Sequence, residues 1–136
     1  MPKVATCLLI NNDKLLILKR SRKVRTYKGL WGAVAGYVEE NEEPYETAIK
    51  EIEEEVGLKR EEVKLIKTGK TVGFTDFYEG KKYDWIIYPF LFYVEKKEKI
   101  KIDWEHTEHR WISPLDITQY NTVPHLQEIV LSMLAK

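Results

Sequence analysis

Residues 36–58 read GYVEENEEPYETAIKEIEEEVGL, and this stretch decides how the rest of the chain is read. Pro44 suits the first position of a helix, because the N–H it lacks would have no partner there. Gly57 suits a left-handed stop just past the last turn. The spacing therefore predicts a helix over Pro44–Val56. At 100° per residue, Tyr45, Ala48, Ile49, Ile52 and Val56 share the side that would face a core. Glu51, Glu54 and Glu55 share another side, at the spacings that bring helical side chains together. Glu53 points away from both groups.

A run of glutamates usually forms no more than a solvated face. Three carboxylates on one arc nevertheless repel each other unless a cation sits among them, and hard divalent cations such as Mg²⁺ take oxygen ligands of this kind. The framework around the run favours the cation. Gly36, five residues, Glu42, seven residues and then Lys50-Glu51-Ile52-Glu53-Glu54-Glu55-Val56-Gly57-Leu58 resembles the signature of the Nudix hydrolase family, Gly-x5-Glu-x7-Arg-Glu-aliphatic-x-Glu-Glu-x-Gly-aliphatic. The one departure inside the motif is Lys50, where the family has Arg. Lysine keeps the charge but loses the planar fork that grips a carboxylate at two points. Just upstream, Val34-Ala35 stands where many members carry Pro-Gly.

The resemblance implies an α/β (α+β) chain folded as a Nudix-type α/β/α sandwich, with a mixed sheet between helices. It also implies divalent-metal-dependent hydrolysis of a phosphoanhydride in a nucleoside diphosphate linked to another group, with Mg²⁺ as the ion and Mn²⁺ as its substitute. Glu51, Glu54 and Glu55 are the expected metal ligands, and the Gly36 carbonyl is a further one. Lys50, beside Glu54 on the helix, is expected to organise the acidic cluster.

Around the motif, 136 residues suit one domain with a single substantial core. Lys plus Arg and Asp plus Glu number 22 each, so no global basic field argues for nucleic acid or an anionic membrane surface as a partner. The expected partner is a small nucleotide held by local groups and metal; a homodimer is compatible with this. Cys7, the single cysteine, reads as a small buried hydrophobe. The N-terminal apolar run, residues 4–10, is too short for a secretory or spanning segment. A cytoplasmic location is expected.

In chain order, residues 4–10 and 14–19 flank Asn11-Asn12-Asp13 and predict an opening hairpin. Residues 19–25 form a basic patch in which Arg20 and Arg25 are candidate phosphate contacts, set against the alternative of a solvated loop. A glycine-punctuated loop with Tyr27 and Trp31 leads to a strand over residues 33–38. Residues 63–72 read as a strand, and residues 73–80, with Phe74, Phe77 and Tyr78, as a loop. These five loop aromatics are candidates for stacking on a base, and each also has a simple packing role. Residues 85–94 are the longest apolar run, with Pro89 arguing for an edge strand or a bulge. Residues 95–101 read as a charged hairpin end.

Residues 103–112, DWEHTEHRWI, carry the second signal. Many Nudix enzymes have an acidic residue in the loop before a strand that begins near a Trp, serving as metal ligand or general base. Glu105 and Glu108 both qualify, with Glu105 favoured by its six-residue distance from Trp111. His106 and His109 lack a third ligand at zinc-site spacing. The proton acceptor is expected to be Glu54, Glu105 or Glu108. A short helical turn near residues 113–115 and an amphipathic helix from Val123-Pro124 to Leu134 close the chain. Two other functions fit the same fold, a nucleotide-sensing module without catalysis and RNA 5′-end processing. The intact glutamate set argues against the first and the balanced charge against the second.

Overall fold

The structure, a computed structural model, describes residues 2–134. The chain opens with β1 (Lys3–Asn11) and β2 (Lys14–Arg20), the predicted antiparallel hairpin, with Asn12 in the left-handed region at φ 54°. The strand expected over residues 33–38 forms over Val34–Tyr37, and the loop expected before it contains a further two-residue strand. β3 (Trp31–Gly32) pairs with β2, and β4 (Val34–Tyr37) pairs antiparallel with β1.

Helix α1 spans Pro44–Val56 with Pro44 at its start, and ends at Gly57, whose φ of 76° is left-handed. The Gly57 N–H donates to the Glu53 carbonyl at 3.0 Å, satisfying one of the last free carbonyls of the helix. Its predicted apolar side is buried at Ala48, Ile49, Ile52 and Val56. Ile52 is wholly inaccessible, so truncating it to alanine costs about 2–5 kcal/mol.

Past the helix come β5 (Val63–Thr68), β6 (Val72–Tyr78) and β7 (Lys81–Val94). Residues 73–80, expected as a loop, are mostly β6. Its side chains alternate between half-buried and exposed, the period-2 signature of a strand with one covered face, while the glycines at 73 and 80 read as loop punctuation. Glu79 and Gly80 both have positive φ, 50° and 79°, as a two-residue hairpin turn requires.

The expectation of an edge strand at Pro89 is also corrected. β7 is central, parallel to β1 on one side and antiparallel to β6 and β5 on the other. Pro89 falls where β7 changes partner from β6 to β5, opposite the connection 69–71, and its carbonyl accepts the Gly69 N–H at 2.9 Å. On that side the missing N–H has no strand to serve.

Residues 95–101 do not close a hairpin, because β8 (His106–Ile112) pairs with β2 and not with β7. The segment instead runs past the end of α1, where the Lys101 N–H donates to the Val56 carbonyl at 2.9 Å. Ile100 and Ile102 pack on the α1 side of the core, two anchors that the surrounding charges disguise. A 3₁₀ turn (Pro114–Gln119) and α2 (Leu126–Leu134) complete the chain.

Strand alternation sorts the core into two layers. Ala5, Cys7 and Leu9 of β1, Leu16 and Leu18 of β2, and Phe90 and Phe92 of β7 face α1. Val4 and Leu8, Leu15 and Ile17, and Trp85, Ile87 and Leu91 face α2 with Ile129, Val130 and Met133. The result is the expected α/β/α sandwich around a mixed sheet.

Candidate active site

Glu51 and Glu55 lie one helical turn apart on the edge of α1 that faces β4, and the loop before β8 brings Glu105 to them. One carboxylate oxygen from each of Glu51, Glu55 and Glu105 lies within 4.8 Å of the others. Glu54, expected with Glu51 and Glu55 in one ligand set, is exposed and lines the adjoining pocket. Glu108 is on β8, where its carboxylate takes the Arg110 Nε–H at 2.8 Å; the pocket wall does not include it.

Three observations test whether the cluster suits a cation. Glu55 is 2 % exposed, and among the described residues its buried Oε2 has no hydrogen-bond partner, a cost of several kcal/mol for an isolated carboxylate if nothing compensates. Gly36 makes room for the Glu51 carboxyl, which a side chain at that position would strike. The donor set is all oxygen, as hard divalent ions prefer. These residues can therefore hold a metal ion.

Without a cation the cluster favours protons. Burial pushes the Glu55 carboxyl well above the ordinary carboxylate range, with the Glu51 and Glu105 carboxylates adding to it. Burial likewise raises Glu51 and Glu105. His106 and Asp103, absent from the expected site, stand behind the cluster. His106 Nδ1 is 3.1 Å from Asp103 Oδ1, and its Nε2 is 3.7 Å from Glu55 Oε1. Burial lowers the His106 pKa. The Asp–x–x–His spacing is visible in the sequence, but only the fold shows that the imidazole turns towards α1. His109 is exposed on the other face of β8, since an odd spacing on a strand reverses the side.

Lys50 does not reach into the cluster. Its Nζ donates to Glu42 Oε2 at 2.9 Å, and Glu42 Oε1 also accepts the Thr47 hydroxyl at 2.6 Å and the Glu39 N–H at 3.1 Å. The first motif glutamate thus ties the loop of residues 38–43 to α1.

The carboxylates line a pocket of about 600 Å³. Arg20 lines it, with its Nε donating to the Thr26 carbonyl at 3.0 Å. Tyr27, Tyr37, Phe74 and Trp85 form an aromatic wall. Tyr37 is half exposed and stacks on Trp85 at 6.2 Å and 24°, and Trp85 stacks on Tyr83 at 5.1 Å and 8°. The Tyr27 hydroxyl donates to Asp76 Oδ2 at 2.7 Å and accepts the Trp85 indole N–H at 3.2 Å.

The other proposed contacts fall elsewhere. Arg25 is exposed and Phe77 is 68 % exposed, both off the pocket wall. Tyr78 tilts against Tyr27 at 4.9 Å, and its hydroxyl accepts the Lys28 N–H. Trp31 is buried in the core, edge-on to Tyr120 and under the Arg110 guanidinium. Its role in the fold is packing. Tyr37 and Trp85 were missed because one closes a strand and the other opens an apolar run, positions that read as structure.

In this three-layer sandwich a carboxylate cluster that can hold a divalent ion lies where helix, strand and loop meet, at the wall of a pocket. The model of the NUDIX domain matches residues 1–132, and the chain belongs to the Nudix hydrolase family. It is 27 % identical over 123 residues to the nucleoside triphosphatase NudI of Escherichia coli, an alignment covering 88 % of this chain and 87 % of that protein. Its fold is similar to that of an Ap4A hydrolase from C. elegans, with a TM-score of 0.81, 17 % identity and coverage of 99 % and 96 % of the two chains. It is also similar to the E. coli dihydroneopterin triphosphate pyrophosphohydrolase, with a TM-score of 0.81, 21 % identity and coverage of 97 % and 94 %. Among the described residues no helix is long and apolar enough to cross a membrane.

Proposed function

We propose that this chain is a cytoplasmic, Mg²⁺-dependent pyrophosphohydrolase that cleaves a nucleoside diphosphate linked to another group, with Mn²⁺ as a substitute ion. The observation that carries this reading is the buried, unpartnered Glu55 oxygen inside a three-carboxylate cluster lining an aromatic-walled pocket. Glu51, Glu55 and Glu105 would hold the ion, with the Gly36 carbonyl beside them. Bound there, a divalent cation neutralises phosphate charge and makes water more acidic.

The chain's own groups do the rest. Tyr37, half exposed and backed by the buried Trp85, presents a flat surface on which a nucleobase can stack. Arg20, which lines the same pocket, meets phosphate oxygens. Glu54, exposed on the pocket side of α1 and outside the three-oxygen cluster, takes the proton of the attacking water. The water oxygen bonds to phosphorus, the bridging P–O bond breaks, and the departing phosphate carries away the electron pair. His106 holds Glu55 from behind through its contact with Asp103.

A nucleotide-sensing module without catalysis would gain nothing from a buried carboxylate oxygen that lacks a donor. The test is incubation with Mg²⁺ and a panel of sugar nucleotides, ADP-ribose, dinucleoside polyphosphates and nucleoside triphosphates, with both products identified. Release of a nucleoside monophosphate with a phosphorylated remainder is expected. Binding without turnover of any of them would replace the hydrolase with the sensor.

A further inference from the structure

Trp104 is 62 % exposed, yet the loop that carries it is fastened on every side. The Asp103 N–H donates to the Glu55 carbonyl at 3.2 Å, and the Glu105 carbonyl accepts the Ser21 N–H at 2.8 Å. The His106 N–H returns to the Asp103 carbonyl at 3.2 Å. The Asp103 carboxylate accepts the Glu105 N–H at 3.2 Å and meets the His106 ring. One residue earlier the chain is bound to α1, and one residue later it is bound to the end of β2. A large indole held on so constrained a loop, and left mostly in water, contributes little to the core.

Its place in the pocket gives it a different use. Trp104 lines the same cavity as the aromatic wall, but three rings of that wall, on β4, β7 and the loop after β2, contact one another through Tyr27–Trp85 and Tyr37–Trp85. Among the described residues no aromatic ring stacks on Trp104. Its neighbour Glu105 is part of the carboxylate cluster. Trp104 is therefore carried by the same fixed loop as the cluster's third carboxylate, and among the described residues no ring of the aromatic wall stacks on it.

We propose that Trp104 is a stacking platform for a second planar ring, on the group that leaves with the far phosphate, and that it selects substrates with a ring at both ends of the phosphate chain. The inference rests on the pyrophosphohydrolase reading and adds a substrate class to it. Removing an aromatic side chain on which a base stacks weakens binding on the order of tenfold. The exposed ring lies ready for that contact, since the loop needs no further ordering.

The test compares a dinucleoside tetraphosphate with the matching nucleoside triphosphate, by KM and kcat in Mg²⁺ and by equilibrium dialysis of each nucleotide. The proteins are wild type, Trp104→Ala and Trp104→Phe. Trp104→Ala should weaken binding and raise KM for the two-ring compound on the order of tenfold, leave the triphosphate within about twofold, and leave kcat for both unchanged. Trp104→Phe should restore most of the loss, because a ring is kept. An equal change for the two compounds, or none for the two-ring compound, would overturn the proposal. If wild type turns over neither compound, the hydrolase reading is decided by the wider panel above, while dialysis still decides the role of Trp104: a two-ring preference that Trp104→Ala abolishes supports it, and no such preference refutes it.

Discussion

The α-carbon of Gly36 and the carboxyl of Glu51 are packed so closely that a β-carbon on Gly36 would lie 2.7 Å from Glu51 Oε2. The glycine is needed there for space, since its φ is not in the left-handed region. The colliding atoms belong to the end of a flexible side chain, so the backbone can stay where it is while the carboxylate moves. Gly36→Ala should leave the melting temperature within a few degrees of wild type but weaken Mn²⁺ binding, read by electron paramagnetic resonance, at least tenfold. Unchanged Mn²⁺ affinity would detach Glu51 from the metal site.

Single glutamine substitutions at Glu54, Glu105 and Glu108, each titrated with Mg²⁺, separate ligand from base. Glu105, inside the oxygen cluster, should raise the Mg²⁺ concentration for half-maximal activity when changed. Glu54→Gln should lower turnover on the order of 10²-fold or more, the range for loss of a general base, with little change in metal requirement. Glu108→Gln should behave as wild type, because Glu108 is engaged with Arg110 at the surface. A large loss at Glu108 with none at Glu54 would reverse the assignment.

The pH dependence of stability without metal follows from the raised carboxyls. Burial lifts Glu55, Glu51 and Glu105 above their unfolded values, so over that window the folded state holds protons that the unfolded chain has released. Stability is then fullest below the unfolded value, about 4.3 for Glu, and falls as pH rises through the folded values. Glu42 acts in the opposite sense. The Thr47 hydroxyl, then Lys50, hold it down to about 2, so its contribution is present above the unfolded value and lost as pH falls towards 2. Metal-free protein should therefore melt highest in mildly acidic solution and lower at pH 8. Glu55→Gln should flatten that decline, as should saturating Mg²⁺. A melting temperature that climbs steadily from pH 5 to 8 in chelator would contradict this account.

Lys50 acts on the loop of residues 38–43 through Glu42, not on the cluster directly. Lys50→Arg should keep full turnover, since a guanidinium can meet Glu42 as well. Lys50→Met should speed amide hydrogen exchange at Glu39 and Glu42 and reduce turnover by less than Glu54→Gln does. Wild-type exchange in Lys50→Met would show that the pair at 2.9 Å does not order the loop.

The motif helix, its two ends and its buried side were legible in the chain because they depend on neighbours in sequence: Pro44, Gly57 and the 3.6-residue period fix them locally. The opening hairpin was legible for the same reason. β6 was not, because glycines at 73 and 80 mimic loop punctuation, and only its pairing with β7 covers one face of that alternating segment. Pro89 was misplaced because the absence of its N–H matters only when a partner faces it, and the partner changes at that residue.

The site divides in the same way. Local spacing put Glu51, Glu54 and Glu55 on one arc, and the Trp111 signal picked out Glu105. Which of those glutamates meet was decided by tertiary structure, because Glu105 comes from a loop fifty residues away that is bound to α1 through Asp103 and to β2 through Ser21. That docking leaves Glu54 in solvent and turns buried His106 towards Glu55. Strand pairing in turn leaves Trp31 and Phe77 off the pocket wall and puts Tyr37 and Trp85 on it. A sequence carries the chemical identity of each donor, but a three-oxygen site is a relation between distant segments, and only the packing of helix, sheet and loop fixes its distances.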